Sequence, residues 1–316
     1  MPDLILHHYW TSPYAAKVRA VMGFKTIAWR SCEVGVIPPR PGLDPFLSPF
    51  RRIPVLQIGA DFFTDTRLIV RVLDAIAPAP PLYPQGSEGL SRLIAGWAEP
   101  KVFTNIGPLR FRSAKDIPAV ADGKFTAEEF FGDRIPFIGR DTSRPPKALA
   151  ASREDHLRAY FEALDALLED GRAFLCGDAA SGADFSAAHT VWFLSRPPAR
   201  EDLIDPFPRV RAWAERVEAF GEGGPEPIST EDAMALVRTA QGEPPFAPDW
   251  PAFEDARLGQ EVEVAPDDYG KNPVRGRMVA SSRHHVGVER QIEGWGAIRI
   301  HFPRIGHEVM DAALLD

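Results

Sequence analysis

Two short stretches of this 316-residue chain place polar side chains where a helix begins. In Thr64-Asp65-Thr66 an acid flanked by hydroxyls precedes Leu68, Ile69, Val72, Leu73 and Ile76, an apolar stripe at helical spacing whose wet side carries Arg67, Arg71 and Asp74. A helix N-terminus leaves backbone N–H groups unpaired and carries partial positive charge. Asp65 and Thr66 can therefore cap the helix, or hold the ammonium and carboxylate of a charged ligand. In Ser12-Pro13 the serine is placed as N-cap and the proline at the first helical position, where a missing N–H costs nothing. A thiolate sulfur at that terminus would meet unpaired N–H groups and the Ser12 hydroxyl. Tyr9 and Tyr14 add two hydroxyls nearby.

These residues need elements to hold them. Leu4 to Tyr9 reads as a short strand, and the helix opened by Ser12-Pro13 carries Ala16, Val18, Val21 and Met22 on its apolar positions. Thr26 to Val34 reads as a second strand, with Cys32 in it as a small core residue, and Val36 to Phe50 is a proline-rich loop. Val55, Leu56 and Ile58 form a strand, Gly59-Ala60-Asp61 a turn and Phe62-Phe63 its partner strand. Pro54 opens a strand that otherwise looks buried. A proline cannot donate to a sheet ladder, so it marks an edge, a bulge or a cis bond that leaves neighbouring backbone free for a ligand.

The string Arg52-Ile-Pro-Val-Leu56, followed by Asp65-Thr-Arg67, resembles the glutathione-site half of the thioredoxin-like domain in cytosolic glutathione transferases. Tyr9-Trp-Thr-Ser-Pro-Tyr-Ala-Ala-Lys-Val-Arg19 resembles the first strand–helix junction of the same family. The resemblance implies that Pro54 is cis, that the backbone of Ile53 pairs with the cysteinyl part of glutathione, and that Asp65 and Thr66 bind its γ-glutamyl end. Arg52 stands where the family commonly has a lysine that reaches the glycyl carboxylate, and an arginine can make that contact bidentately; a solvated charge at a loop is the competing reading. Ser12 takes the position of the activating serine or, in other classes, cysteine, and Tyr9 and Tyr14 are alternatives. No cysteine stands there, which argues against disulfide exchange. The physical demand is modest: a free thiol titrates near ~8.5, and each unit of depression needs about 1.4 kcal/mol of preference for the thiolate.

Downstream, Pro78-Ala-Pro-Pro-Leu-Tyr-Pro84 ends the helix and reads as a linker. Segments near 88–104, 147–170, 185–195, 207–220 and 229–240 keep helical spacing. Phe174-Leu-Cys-Gly-Asp178 and then Ser181-Gly-Ala-Asp184 resemble the capping box before the buried sixth helix of the family, so Asp184 reads as a folding element and His189 as a core histidine. Phe103, Arg110, Phe111, Arg112, Phe130, Phe131 and Phe137 fall in the stretch that lines the electrophile pocket in the family; each can equally be plain core. After the proline cluster 244–251, segments Glu261 to Ala265, Val274 to Ala280, Val286 to Gln291, Ala297 to Phe302 and Ile305 to Met310 alternate apolar and polar residues. That describes a small antiparallel sheet or barrel, a piece absent from ordinary members of the family, whose expected packing is against the helices or a partner subunit. His284-His285 and His301 invite a metal reading, but adjacent residues on a strand point to opposite faces, and no metal site is expected.

Composition bounds the rest. With 45% hydrophobic and 25% charged residues the chain is that of an ordinary folded protein, and a net charge of −8 argues against nucleic acid or an anionic membrane as the main partner. No apolar run approaches ~20 residues, and two cysteines without C-x-x-C spacing indicate neither a disulfide framework nor a cysteine-based metal site. The expected architecture is an α/β thioredoxin-like domain at 1–78, an all-α bundle at 85–242 and a small all-β domain at 252–316. The function the resemblance implies is transfer of the glutathione thiolate to a hydrophobic electrophile, by a cytoplasmic, detoxifying homodimer with glutathione as co-substrate and no metal. A glutathione-fold binding or regulatory protein without turnover, and a glutathione-dependent isomerase or ether-cleaving lyase, are the alternatives.

Overall fold

A computed structural model of the chain describes residues 2–121, 123–139, 146–242, 246 and 248–315; Pro145, Pro244 and Pro245 of the proline clusters lie outside these. Two compact units are present, one made of Met1–Val18, Thr26–Pro78 and Gly223–Asp316, the other of Arg19–Lys25 and Ala79–Glu222.

The first unit begins with β1 (Ile5–His8), α1 (Pro13–Phe24, whose last turns fall in the second unit), β2 (Ala28–Glu33) and a single turn, α2 (Asp44–Leu47). It continues with β3 (Val55–Ile58), β4 (Asp61–Thr64) and α3 (Thr66–Ile76). β1 pairs parallel with β2 and antiparallel with β3, and β3 pairs antiparallel with β4. This is the thioredoxin-type arrangement. All four residues of β1, β3 and β4 are buried, the polar His7, His8, Gln57, Asp61 and Thr64 among them.

The second unit is helical: α4 (Glu88–Trp97), a π-helical turn at Ala98–Val102, α5 (Phe103–Arg110), α6 (Pro118–Ala121), α7 (Ala127–Phe137), α8 (Ala150–Leu167), α9 (Gly182–Ser195) and α10 (Pro208–Glu218). Nearly every residue of α9 is buried, so its start must satisfy its own donors. Asp184 does so, accepting from Ser181 N and Ser181 Oγ at 2.8 Å each, from Leu175 N at 2.8 Å and from the Trp213 indole at 2.8 Å. His189 is buried in the same helix and stacks on Phe103.

The chain then returns to the first unit with β5 (Gly224–Pro227), α11 (Thr230–Thr239), β6 (Glu261–Pro266), β7 (Val274–Ser281), β8 (His285–Ile292), β9 (Gly296–Pro303) and β10 (His307–Asp311). β5 adds to the β2 edge in parallel. β6 to β10 form the antiparallel ladder that the alternation predicts, but they are not a sheet apart. β9 lies parallel on β4, with Phe62 opposite Ile300 and Phe63 opposite His301, and among the described residues one ten-stranded sheet runs β10-β6-β7-β8-β9-β4-β3-β1-β2-β5. The physical reason is the edge of β4: left alone it would present a row of unpaired N–H and C=O groups, and a five-strand ladder without a packed face is marginal. Joining them gives one core in which Phe46, Val55 and Phe62 pack with Val264, Val288 and Ile300.

Candidate functional site

The loop from β1 into α1 folds tightly. Ser12 N donates to Tyr9 O at 3.1 Å, Ser12 O accepts from Ala16 N at 2.9 Å, and Ser12 Oγ accepts from Ala15 N at 3.2 Å. Ser12 is thus the N-cap of α1 and is buried, at 1% exposure. One lone pair of its hydroxyl is taken by the helix, and its proton is not used in that bond. Tyr9 and Tyr14, both half-buried, flank it, and the Tyr14 side chain hydrogen-bonds that of Tyr269.

At the second junction Asp65 caps α3. Its Oδ1 accepts from Arg67 N at 2.9 Å and Arg67 Nε at 3.2 Å, and Arg67 Nη2 reaches Oδ2 at 3.0 Å. Capping is therefore a role the side chain fills. Its backbone sits at φ +64°, a conformation that a non-glycine residue adopts at some cost and that surrounding contacts must fix. Burial works against the Asp65 charge, but Arg67 first, then His307 and Arg52, hold its carboxyl well below the usual carboxylate range. Thr66 is buried, and its hydroxyl accepts from Lys17 Nζ at 3.3 Å. Lys17 went unnoticed in the sequence, although it falls with Tyr14, Val18 and Val21 on the stripe of α1 that faces inward.

Between the two junctions, the Ile53–Pro54 peptide is cis and Pro54 is buried. Among the described residues Ile53 makes no backbone–backbone hydrogen bond, so the ladder leaves its N–H and C=O available. Arg52 is no solvated charge. It is 9% exposed, its Nη2 donates to the Asp268 carboxylate and to Tyr269 O, and its guanidinium carbon lies 4.0 Å from the centre of the Tyr269 ring. Burial opposes its charge, but Tyr269, Asp268 and Asp65 outweigh that and raise its pKa. The loop 267–273 that joins β6 to β7 thus belongs to this corner, as does the turn before β10: Gly306, at φ +89°, packs so closely that a Cβ there would lie 2.6 Å from the Arg67 guanidinium nitrogens. Sequence reasoning missed both, because nothing local ties residues 268 and 306 to residues 52 and 67.

It also missed Asp61, read as a turn residue. Buried at the β4–β9 seam, Asp61 accepts from Arg299 Nε at 2.7 Å and Arg299 Nη2 at 2.9 Å, and its Oδ1 lies 2.8 Å from His301 Nε2. Burial would raise its pKa, but these partners more than offset that and lower it. Of the histidines in the last strands, His285 has its Nδ1 2.7 Å from Ser282 Oγ, and His301 stacks on Phe63. Among the described residues no group of three or more His, Cys, Asp or Glu side chains is placed to hold a metal ion. Nor is any helix among them long and apolar enough to cross a membrane. In the helical unit, Phe103 and Phe111 both pack on Phe193, Phe111 also meets Phe130, and the Arg110 guanidinium lies 3.9 Å over the Phe193 ring.

The family model described as glutathione S-transferase, N-terminal domain, matches residues 6–81, and that described as glutathione S-transferase, C-terminal domain, matches residues 146–216. No curated protein sequence matches the chain. Among solved structures, a GST-like protein from Pseudomonas syringae is 31% identical with a TM-score of 0.78, covering 98% of this chain and 100% of its own. At that coverage the likeness takes in the C-terminal strands. Two more distant structures share the fold: a glutathione S-transferase from Rhodospirillum rubrum F11 (19% identity, TM-score 0.51, 68% of this chain and 88% of its own) and the β-etherase LigF from Sphingobium sp. strain SYK-6 (17%, 0.52, 69% and 95%). With a buried hydroxyl capping α1, an acid–hydroxyl pair opening α3 and a full-length relative at this identity, the chain belongs to the glutathione S-transferase family.

Proposed function

We propose that the chain binds glutathione along these two helix N-termini and transfers its thiolate to an electrophilic carbon of a hydrophobic small molecule. The observation that carries this reading is the buried Ser12 hydroxyl, with one lone pair tied to the helix and its proton not used in that bond. Thr66 and the anionic Asp65 take the γ-glutamyl end, the backbone of Ile53 pairs with the cysteinyl unit, and Arg52 meets the glycyl carboxylate. Ser12 donates to the thiolate, which the α1 terminus also favours. The thiol proton passes to solvent, the sulfur pair forms the new C–S bond, and the leaving group departs with its own electron pair. Positioning and thiolate stabilisation supply the rate. The same reading carries a cytoplasmic homodimer acting in detoxification.

The test is direct. The protein should be retained on immobilised glutathione and should conjugate a model aryl halide, and Ser12→Ala should lower that turnover by roughly ten- to a hundredfold while the pKa of bound thiol rises. Loss of turnover in Tyr9→Phe or Tyr14→Phe with Ser12→Ala unaffected would move the activating role to that tyrosine. Retention without turnover of any electrophile would favour a binding or regulatory protein, and cleavage of an aryl ether in place of aryl-halide conjugation would favour a lyase.

A further inference from the structure

The residue assigned to the glycyl carboxylate already holds a carboxylate of this chain. Arg52 donates to Asp268, and the next residue, Tyr269, adds its carbonyl oxygen to the same nitrogen and its ring to the face of the guanidinium, 4.0 Å away. The loop is built to present that acid. Asp268 Oδ1 accepts from Tyr269 N at 2.8 Å, Asp267 N donates to Gly306 O at 3.1 Å, and the Tyr269 side chain hydrogen-bonds Tyr14, two residues beyond Ser12. One loop therefore touches both ends of the proposed tripeptide site.

We propose that Asp268 is an internal stand-in for the glycyl carboxylate, so that glutathione competes with the β6–β7 loop for Arg52 and the C-terminal strands set the affinity of the thiol site. This rests on the glutathione reading above. The competition is winnable because Asp268 engages Arg52 through Nη2 alone, and the buried Nε has no partner among the described residues. A ligand carboxylate can take Nε and Nη2 together, a bidentate pair stronger than the single contact it replaces. An equally compact thiol without that terminal charge cannot displace Asp268 and gains nothing from Arg52.

The experiment measures binding of glutathione and of its glycyl ethyl ester, by calorimetry, to the full chain and to Asp268→Asn. The native chain should bind the two within about threefold of each other, and Asp268→Asn should tighten glutathione roughly tenfold while leaving the ester unchanged. Asp268→Ser, which keeps a short acceptor for Tyr269 N, should do the same and serves if the first variant fails to fold. Unchanged or weaker glutathione binding in a folded variant, or an equal gain for both ligands, overturns the stand-in while leaving the glutathione reading intact. Binding of neither ligand by either protein overturns both.

Discussion

Asp61 and Asp65 stand four residues apart and do different work. Asp65 is a cap, satisfied mostly by its own neighbour Arg67, whereas Asp61 is the anion of a buried cluster whose cation, Arg299, comes from the far end of the chain. Removing one partner of a buried pair leaves the other uncompensated, so Asp61→Asn is expected to cost about 3–5 kcal/mol in urea unfolding. The double substitution Asp61→Leu, Arg299→Leu should recover much of that loss, since a well-packed apolar pair has no charge to bury. Caps are legible in a sequence because donor and acceptor lie within three residues, as at Ser12, Asp65 and Ser181. Asp61 was not, since the turn Gly59-Ala60-Asp61 is a complete local explanation and its real partners sit 238 and 240 positions away.

Among the elements, α9 shows how much one carboxylate can organise. Asp184 serves the helix start, the loop at Leu175 and the Trp213 indole together. Asp184→Ala strands buried donors at all three places and should cost more than about 3 kcal/mol, against about 1 kcal/mol for Ser181→Ala, as read from thermal unfolding. The terminal strands were legible as elements: alternation gave Val274 to Ala280 and Ala297 to Phe302, and β7 and β9 occupy Val274–Ser281 and Gly296–Pro303. Their destination was not. Period-two alternation fixes which side chains face a core, but a strand edge carries no mark of which other edge it will meet. β5 was hidden for a related reason, being four exposed residues, Gly-Pro-Glu-Pro, with no apolar face to announce it. Within the ladder, a Cβ at Gly276 would come 2.6 Å from Glu289 O, backbone that cannot swing aside, so Gly276→Ala should loosen β7 from β8 and speed amide exchange there.

For the molecule as a whole, three of the buried histidines in the first unit should make stability fall in mild acid. Burial lowers His7 to about 4, His285 to about 3 and His307 to about 4. Each folded value lies below the ~6.5 of an unfolded histidine, so between pH 6.5 and 4 the unfolded chain takes up protons that the folded chain refuses. Stability should therefore fall as pH drops through that window, by up to about 1.4 kcal/mol per pH unit for each histidine. Urea midpoints at pH 7, 6 and 5 check this, and His285→Gln should flatten the slope. The parallel seating of β9 on β4 also bears on how the protein is made. A ribosome adding ~5–20 residues per second delivers Arg299 roughly 10–50 s after Asp61, positions 238 apart. Through that interval the nascent thioredoxin-type half waits with one flank bare, and a chaperone that shields open strands has its clearest task there.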